Sequence, residues 1–464
     1  MLLAFVGIYL VLTLCVGWYS ARYVKSSKDF ALAGRQMPMY VVASGLFATW
    51  FGSETIMGSS SEFMQHGLLG VIEDPFGAAL CLFLIGWWYA RPLYRLNLLT
   101  FSDYFSLRYS KKVELISAFF MIPSYFSWIA AQLIALAVVL QAIAGIPLTW
   151  GVLICAAIVL FYTYVGGMWS VSITDTIQTV LILVGLLFLT WTLLQKMGGW
   201  KPFVQSIPSD YLRFTPRENS WNAWFLYLSA WITLGWGSIP QQDVFQRVLS
   251  ARSEKAAVEG AFLSSFAYLT IALLPLIIVW SGTQLYPELG RGDLQLAIPQ
   301  IVLQHATLPI QVLFFGALLS AILSTCSGAI LAPATVIAEN IIKPIFGEDL
   351  PDPILLKIMR GSVVFITCIA VGMSFISSNI YTLVSEASAL SLVALFVPLT
   401  AGLYWKSGNS LGAILSMVLG TLVWLMTNFV WEWSLAPIYG LVASVAGMLL
   451  GVVGQRLKPS RAID

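Results

Sequence analysis

Thirteen stretches of this chain are long and apolar enough to cross a bilayer: roughly 2–21, 39–64, 70–90, 113–144, 149–166, 174–195, 221–241, 257–281, 309–337, 361–378, 382–404, 409–430 and 436–455. A crossing takes about 20 mostly apolar residues in helical form, because lipid offers backbone polar groups no partner outside the segment. No other feature restricts the fold so severely. Of 464 residues 59% are hydrophobic and only 10% charged, against about 25% charged in soluble chains. The expectation is an all-α polytopic membrane protein. A net charge of +2 points to no nucleic-acid partner. Cys15, Cys81, Cys155, Cys326 and Cys368 all fall in apolar spans and read as small buried hydrophobes rather than a disulfide framework. His66 and His305 stand far apart, and the sequence carries no metal-ligand cluster, nucleophile motif or phosphate loop. Enzyme chemistry is not expected.

The opening MLLAFVGIYLVLTLCVGWYSARYVK lacks the positive start and cleavage site of a secretory signal, and its basic residues follow the apolar run. It reads as a retained first helix with its N-terminus outside. Alternate loops and the C-terminus then hold Arg22, Lys25, Lys28, Arg35, Arg91, Arg95, Arg108, Lys111, Lys112, Arg247, Arg252, Lys255, Lys343, Lys357, Arg360, Lys406, Arg456, Lys458 and Arg461, 19 in all. The opposite side holds 5: Lys196, Lys201, Arg213, Arg217 and Arg291. Cytoplasmic loops carry the excess of Lys and Arg, so the C-terminus is expected in the cytoplasm of a plasma or inner membrane.

Two spans are interrupted. Residues 48–62, ATWFGSETIMGSSSE, place Gly52, Gly58, Thr49, Ser53, Ser59, Ser60 and Ser61 with the carboxylates Glu54 and Glu62 inside the second span. Residues 229–247, SAWITLGWGSIPQQDVFQR, break the seventh at Gly235, Gly237 and Pro240. Irregular backbone at membrane depth is tolerated only inside protein or along a cavity, and paired interruptions point to a site built from inverted repeats. The division expected is a peripheral first helix and loop (1–38), a first five-helix repeat (39–197), an extracytoplasmic loop (198–220), a second, inverted repeat (221–404), and two peripheral helices with a short tail (405–464). Glycines in membrane helices also mark close packing; Gly58 to Ser61 have no assigned role, a small-residue packing face being the plain alternative. Glu54 is harder to dismiss, since a carboxylate at this depth is costly and marks a substrate or ion path.

In SAILSTCSGAILAPA (320–334), Ser324 and Thr325 lie three and four residues after Ala321. Helical side chains lean toward the N-terminus, so both hydroxyls reach the Ala321 carbonyl. Ala48 and Phe51, just before Gly52, offer further carbonyls where the second span breaks. Oxygen donors suit small hard cations, and five neutral ones suit a monovalent ion that must also leave. The Ser-Thr pair is equally consistent with back-bonding to the preceding turn.

At these residues the chain resembles the sodium:solute symporter family. The resemblance runs from KSSKDFALAGR (25–35) through ATWFG (48–52), TFSDYFSLRYS (100–110), GGMWSVSITDTIQ (166–178) and QRVLSA (246–251) to SAILST (320–325). It implies a ten-helix inverted-repeat core of the amino-acid-transporter type, alternating access, and a sodium site on the carbonyls of Ala48, Phe51 and Ala321 and the hydroxyls of Ser324 and Thr325. Some members hold a second sodium; its carboxylate matches Asp175 and one hydroxyl Ser327, but the next position, a serine in those members, is Gly328 here. Asp175, near the start of its helix, also suits the helix dipole.

The resemblance places Glu54, Thr55 and Asp74 on the wall of a substrate cavity. Glu386 is a third acid at the same level; Glu73, Asp74 and Glu386 also fit solvated helix starts. The Thr55 position is an amide in sugar-carrying members, which argues against a sugar. Most of the 18 Trp, 18 Tyr and 27 Phe belong to core and interface belts. Trp50, Trp128 and Trp236 are the cavity candidates, because aromatic faces beside a carboxylate suit an organic cation. The choline-transporter branch looks nearest, but it has a tryptophan after the proline of the seventh span where this chain has Gln241. The expected activity is sodium-coupled import of a quaternary amine, amino acid or other zwitterion. The alternatives are a transporter-fold sensor with a separate signalling partner, a carrier of a monocarboxylate or other neutral or anionic solute, and, least supported by two short polar breaks, a channel.

Overall fold

The structure, a computed structural model, describes residues 1–347, 350–376 and 379–457. Lys458 and Arg461 of the positive-inside tally lie outside the described residues. The described chain is helical, and its one β-type contact is a parallel bridge between Met37 and Ala251. Met37 N–H donates to the Ser250 carbonyl at 2.9 Å and Arg252 N–H to the Met37 carbonyl at 2.8 Å. This clip ties the entry of one interrupted helix to the exit of the other.

Ten helices have the length and apolar character of a crossing: 2–23, 54–95, 111–144, 148–196, 254–285, 308–346, 352–373, 380–404, 410–430 and 436–455, with Met39–Trp50 as a shorter apolar helix. The two longest, 54–95 and 148–196, are interrupted within their length. The 49 residues of Leu148–Lys196 would run about 74 Å against a hydrocarbon core of about 30 Å. That helix breaks at Gly167, where φ is 49° and ψ −144°. A Cβ at Gly167 would lie 2.6 Å from the Phe30 carbonyl oxygen, against the small helix Ser27–Leu32. The 54–95 stretch is likewise interrupted at Gly67, with φ 66° and ψ −154°.

Burial sorts the helices into core and rim. The most apolar window of 308–346 is 89% buried and that of 111–144 is 72% buried, while that of 2–23 is 17% buried. The first helix is therefore a rim element, its Leu3, Phe5, Ile8, Val11 and Leu12 exposed as lipid contact demands. The cysteine expectation holds only in part: Cys81, Cys155 and Cys326 are buried, but Cys15 and Cys368 are exposed. A rim helix in lipid has no reason to hide an apolar residue.

Several local elements carry their own signals. Phe101–Arg108 starts at a capping box in which Thr100 and Asp103 satisfy each other's backbone N–H. Ser110 caps Lys111–Ala144 by accepting from Val113 N–H. The helix Ala297–His305 lies between the eighth and ninth expected spans, outside every expected crossing.

Gly167→Ala should lower thermal stability by roughly 1–3 kcal/mol, through positive φ and crowding of Phe30. Gly316→Ala, with nothing within 4 Å of the new methyl, should not. Unfolding midpoints of detergent-purified protein check both.

Candidate cation and substrate site

The first interrupted helix ends at Trp50, and Phe51 leaves helical geometry at φ −77°, ψ 66°. Gly52 N–H turns back to the Trp50 carbonyl at 2.8 Å, and the chain resumes as a π-turn over Glu54–Gly58. Side chains from three other helices meet the backbone groups this releases. Ser53 N–H donates to Gln132 Oε1 at 3.1 Å. The Thr325 hydroxyl lies 2.8 Å from the Ala48 carbonyl oxygen and 3.1 Å from that of Ala321, its one proton shared between them. The Trp50 carbonyl oxygen is 2.9 Å from Thr55 Oγ1 and 3.0 Å from Tyr268 Oη. Ala48, Ala321 and Thr325 thus converge as three oxygens at the break. A Cβ on Gly52 would sit 2.7 Å from Gln132 Oε1, 2.8 Å from Glu54 Oε2 and 2.9 Å from Thr325 Oγ1. Only glycine lets these oxygens approach so closely.

Two carboxylates are sealed beside the break, each 1% exposed. Glu54 accepts from Trp128 Nε1 at 3.3 Å and Gln132 Nε2 at 2.8 Å. Asp74 accepts from Tyr268 Oη at 2.6 Å and Ser59 Oγ at 2.9 Å. Tyr268 Oη is also 2.6 Å from Thr55 Oγ1, which binds Thr55 and Asp74 into one network. Among the described residues neither carboxylate makes an ion pair. Asp175, also buried, differs: its Oδ2 faces Arg247 Nη2 at 3.3 Å, and its Oδ1 accepts from the Ser324 hydroxyl. A buried charge without a partner is expensive, so Glu54 and Asp74 form a place that favours a cation.

Residues 30–420 match the sodium:solute symporter family. This chain belongs to that family. It is 28% identical to the high-affinity choline transporter 1 of Torpedo marmorata, over 90% of this chain and 74% of that one. It is 25% identical to a sodium/glucose cotransporter of Vibrio parahaemolyticus, over 89% and 82%. Its fold matches that of a Na+-coupled sialic acid symporter, solved in a substrate-bound outward-open state, with a TM-score of 0.83 at 17% identity over 97% of both chains. The family and these relatives are transporters, not enzymes.

The symporter's structure redistributes several expected site residues. Ser324 turns to Asp175 rather than to the Ala48–Thr325 oxygens, because a carboxylate is the stronger acceptor. The Phe51 ring stacks on Phe47 at 4.7 Å. Asp175 carries Arg247, and Ser327 donates to the Ser324 carbonyl at 2.9 Å. Trp50 and Trp128 are buried at the break, Trp128 directly on Glu54. Trp236 is not there. It stacks on Phe396 at 5.2 Å and lines a separate apolar cleft of ≈ 460 Å³ with Leu84, Trp88, Tyr89 and Thr400. The next residue, Gly237, is pressed against the Ser388 backbone, and one helical step of about 100° carries Trp236 away from that contact. Gln241 is buried with its Oε1 unpartnered. Gly58 packs under Tyr381, but Ser59 does more than pack, since it holds Asp74. Glu62 lines a polar cleft of ≈ 310 Å³ with Gln65, Asp293, Gln295, Asn379 and Tyr381. Glu386 is half-buried.

Gln132 and Tyr268 were missed. Gln132 had a signal, being an amide four residues after Trp128 and so on the same helix face. Tyr268 had none, because its role comes from packing between distant helices. Tyr268→Phe should cost about 1.5–3 kcal/mol of stability, as expected for hydrogen bonds to a charged group. Tyr381→Phe, whose hydroxyl meets backbone groups of Gly70 and Asp74 but no carboxylate, should cost less. Thermal unfolding compares the two.

Proposed function

We propose that this chain is a sodium-coupled secondary active symporter that imports a small organic cation or zwitterion, such as a quaternary amine or amino acid, by alternating access. The observation that carries this reading is the pair of buried carboxylates, Glu54 and Asp74, with hydrogen-bond donors but no ion pair at the helix break. Sodium would take the carbonyls of Ala48, Phe51 and Ala321 and the hydroxyls of Ser324 and Thr325, with Ser324 released from Asp175. An all-oxygen donor set fits a hard monovalent ion. The organic solute would lie against Glu54, Thr55 and Asp74 and the faces of Trp50 and Trp128, where an aromatic wall beside a carboxylate attracts an ammonium group. Gln241 brings a free amide oxygen that can accept from a primary or secondary amine. The likeness to a choline transporter supports this class. The likeness to a sodium/glucose cotransporter leaves a neutral solute as the competing outcome.

The topology belongs to the same proposal. Dividing 54–95 at Gly67 and 148–196 at Gly167, joining Met39–Trp50 to its continuation, and counting Trp221–Gly237 with Gln242–Ser250 as one broken crossing makes thirteen spans. The two broken crossings then open two five-helix repeats, 39–197 and 221–404, the second inverted. The N-terminus lies outside and the C-terminus in the cytoplasm, in the plasma or inner membrane.

Proteoliposomes test the reading. An inward sodium gradient should drive uptake of radiolabelled choline or proline. Thr325→Ala should raise the half-saturating sodium concentration about tenfold or more, the equivalent of about 1.4 kcal/mol, and Glu54→Gln should weaken solute binding similarly. Uptake driven equally well by a proton gradient without sodium would refute the coupling. Thermal stabilisation by sugars or monocarboxylates alone would refute the solute class.

A further inference from the structure

Fold relatives of this chain include a symporter described as having a novel Na+ site, and Asp175 with Ser327 is where a second sodium was expected. The residues present do not fit one. Both Asp175 oxygens are engaged, Oδ1 by the Ser324 hydroxyl and Oδ2 by Arg247 Nη2 at 3.3 Å. The Ser327 hydroxyl is turned to the Ser324 carbonyl. Position 328 supplies no hydroxyl because it is glycine.

The space is filled as well. A Cβ on Gly328 would collide with Arg247 Nη2 and lie 3.1 Å from Nη1. On the opposite side, a Cβ on Gly45 would lie 3.4 Å from Arg247 Nε and 3.5 Å from Asp175 Oδ2. Two glycines from two core helices thus make the slot that holds the guanidinium. Arg247 Nη1 donates to the Asp243 carbonyl at 3.2 Å, its own helix fixing the rest of the side chain. The side chains of Arg247 and Asp175 are 3% and 1% exposed. Asp243, one helical turn before Arg247 and 0% exposed, is a further carboxylate beside this pair, with its Oδ2 unpartnered, so it is the filled slot and the missing hydroxyl, not net charge, that shut out a mobile cation here.

We infer that Arg247 is a tethered cation standing where a second sodium would bind, and that Gly328 is the residue that makes room for it. The symporter therefore binds one sodium per chain. This inference rests on the sodium-symport reading above and adds a stoichiometry to it. At the helix break it leaves Glu54 and Asp74, which make no ion pair among the described residues, facing the place proposed for the solute.

The test counts ions rather than transport. Saturation binding of radioactive sodium to the detergent-purified chain should give one ion per protein, with a Hill coefficient of about 1. Arg247→Ala combined with Gly328→Ser removes the tethered charge and restores the missing hydroxyl; the folded, monodisperse double variant should bind two ions per chain. Two ions in the unmodified protein would overturn the inference and leave sodium symport standing. No sodium bound at all would overturn the symport reading and the inference with it. A folded double variant that still binds one ion would show that the guanidinium is not what excludes the second. The count on the unmodified protein decides the matter even where the variant fails to fold.

Discussion

Backbone N–H and C=O groups inside a bilayer have no water to turn to, so a helix can open at membrane depth only where other parts of the protein close its bonds. The break at Phe51–Gly52 obeys this rule. Gln132 meets Ser53 N–H, Thr325 meets the Ala48 carbonyl, and Tyr268 with Thr55 meets the Trp50 carbonyl. These partners come from three separate helices, 111–144, 308–346 and 254–285. The two most buried of the three, by their most apolar windows, are 308–346 and 111–144. The arrangement of the core follows from the need to surround one irregular turn with side chains of the right kind.

The same neighbours hold the charges. Gln132 serves both the freed backbone N–H and Glu54, and the single hydroxyl proton of Tyr268 is shared between Asp74 and the Trp50 carbonyl. Breaking the helix and burying carboxylates beside it are thus one construction, in which each polar side chain has two duties. Asp175 sits outside that construction, neutralised by Arg247 in a slot lined by Gly45 and Gly328. Glu54, Asp74 and Asp175, all buried, have three different environments. Of these three, Asp175 alone has a cationic side chain against it.

Much of this was legible beforehand, and for identifiable reasons. Lipid enforces a length and composition on every crossing, so segments such as 113–144 and 309–337 agree with Lys111–Ala144 and Leu308–Val336 to within two residues. Mid-span Glu54 was an anomaly because a carboxylate at that depth is costly without a purpose, and Gly52 and Ser53 beside it gave the place where the helix yields. Where the reading went astray, the deciding quantity was direction around a helix axis. Trp236 lies beside a break but points to Phe396, because Gly237 takes the contact with Ser388. Ser59, whose role the sequence left open, supports Asp74. Cys15 and Cys368 face outward, since apolar composition looks the same on the lipid side and the core side.

The sequence by itself determined that the chain must be a set of membrane helices, where two of them must break, which family it belongs to, and that acids and hydroxyls gather at one break. Those properties are local: they depend on runs, spacings and residue types within one segment. Only the tertiary structure decided that Ser324 turns to Asp175, that Tyr268 joins Asp74 to the Trp50 carbonyl, and that Arg247 takes up the space beside Gly328. Each of these joins residues more than seventy positions apart, and which partner wins depends on distances that exist only once the helices have packed.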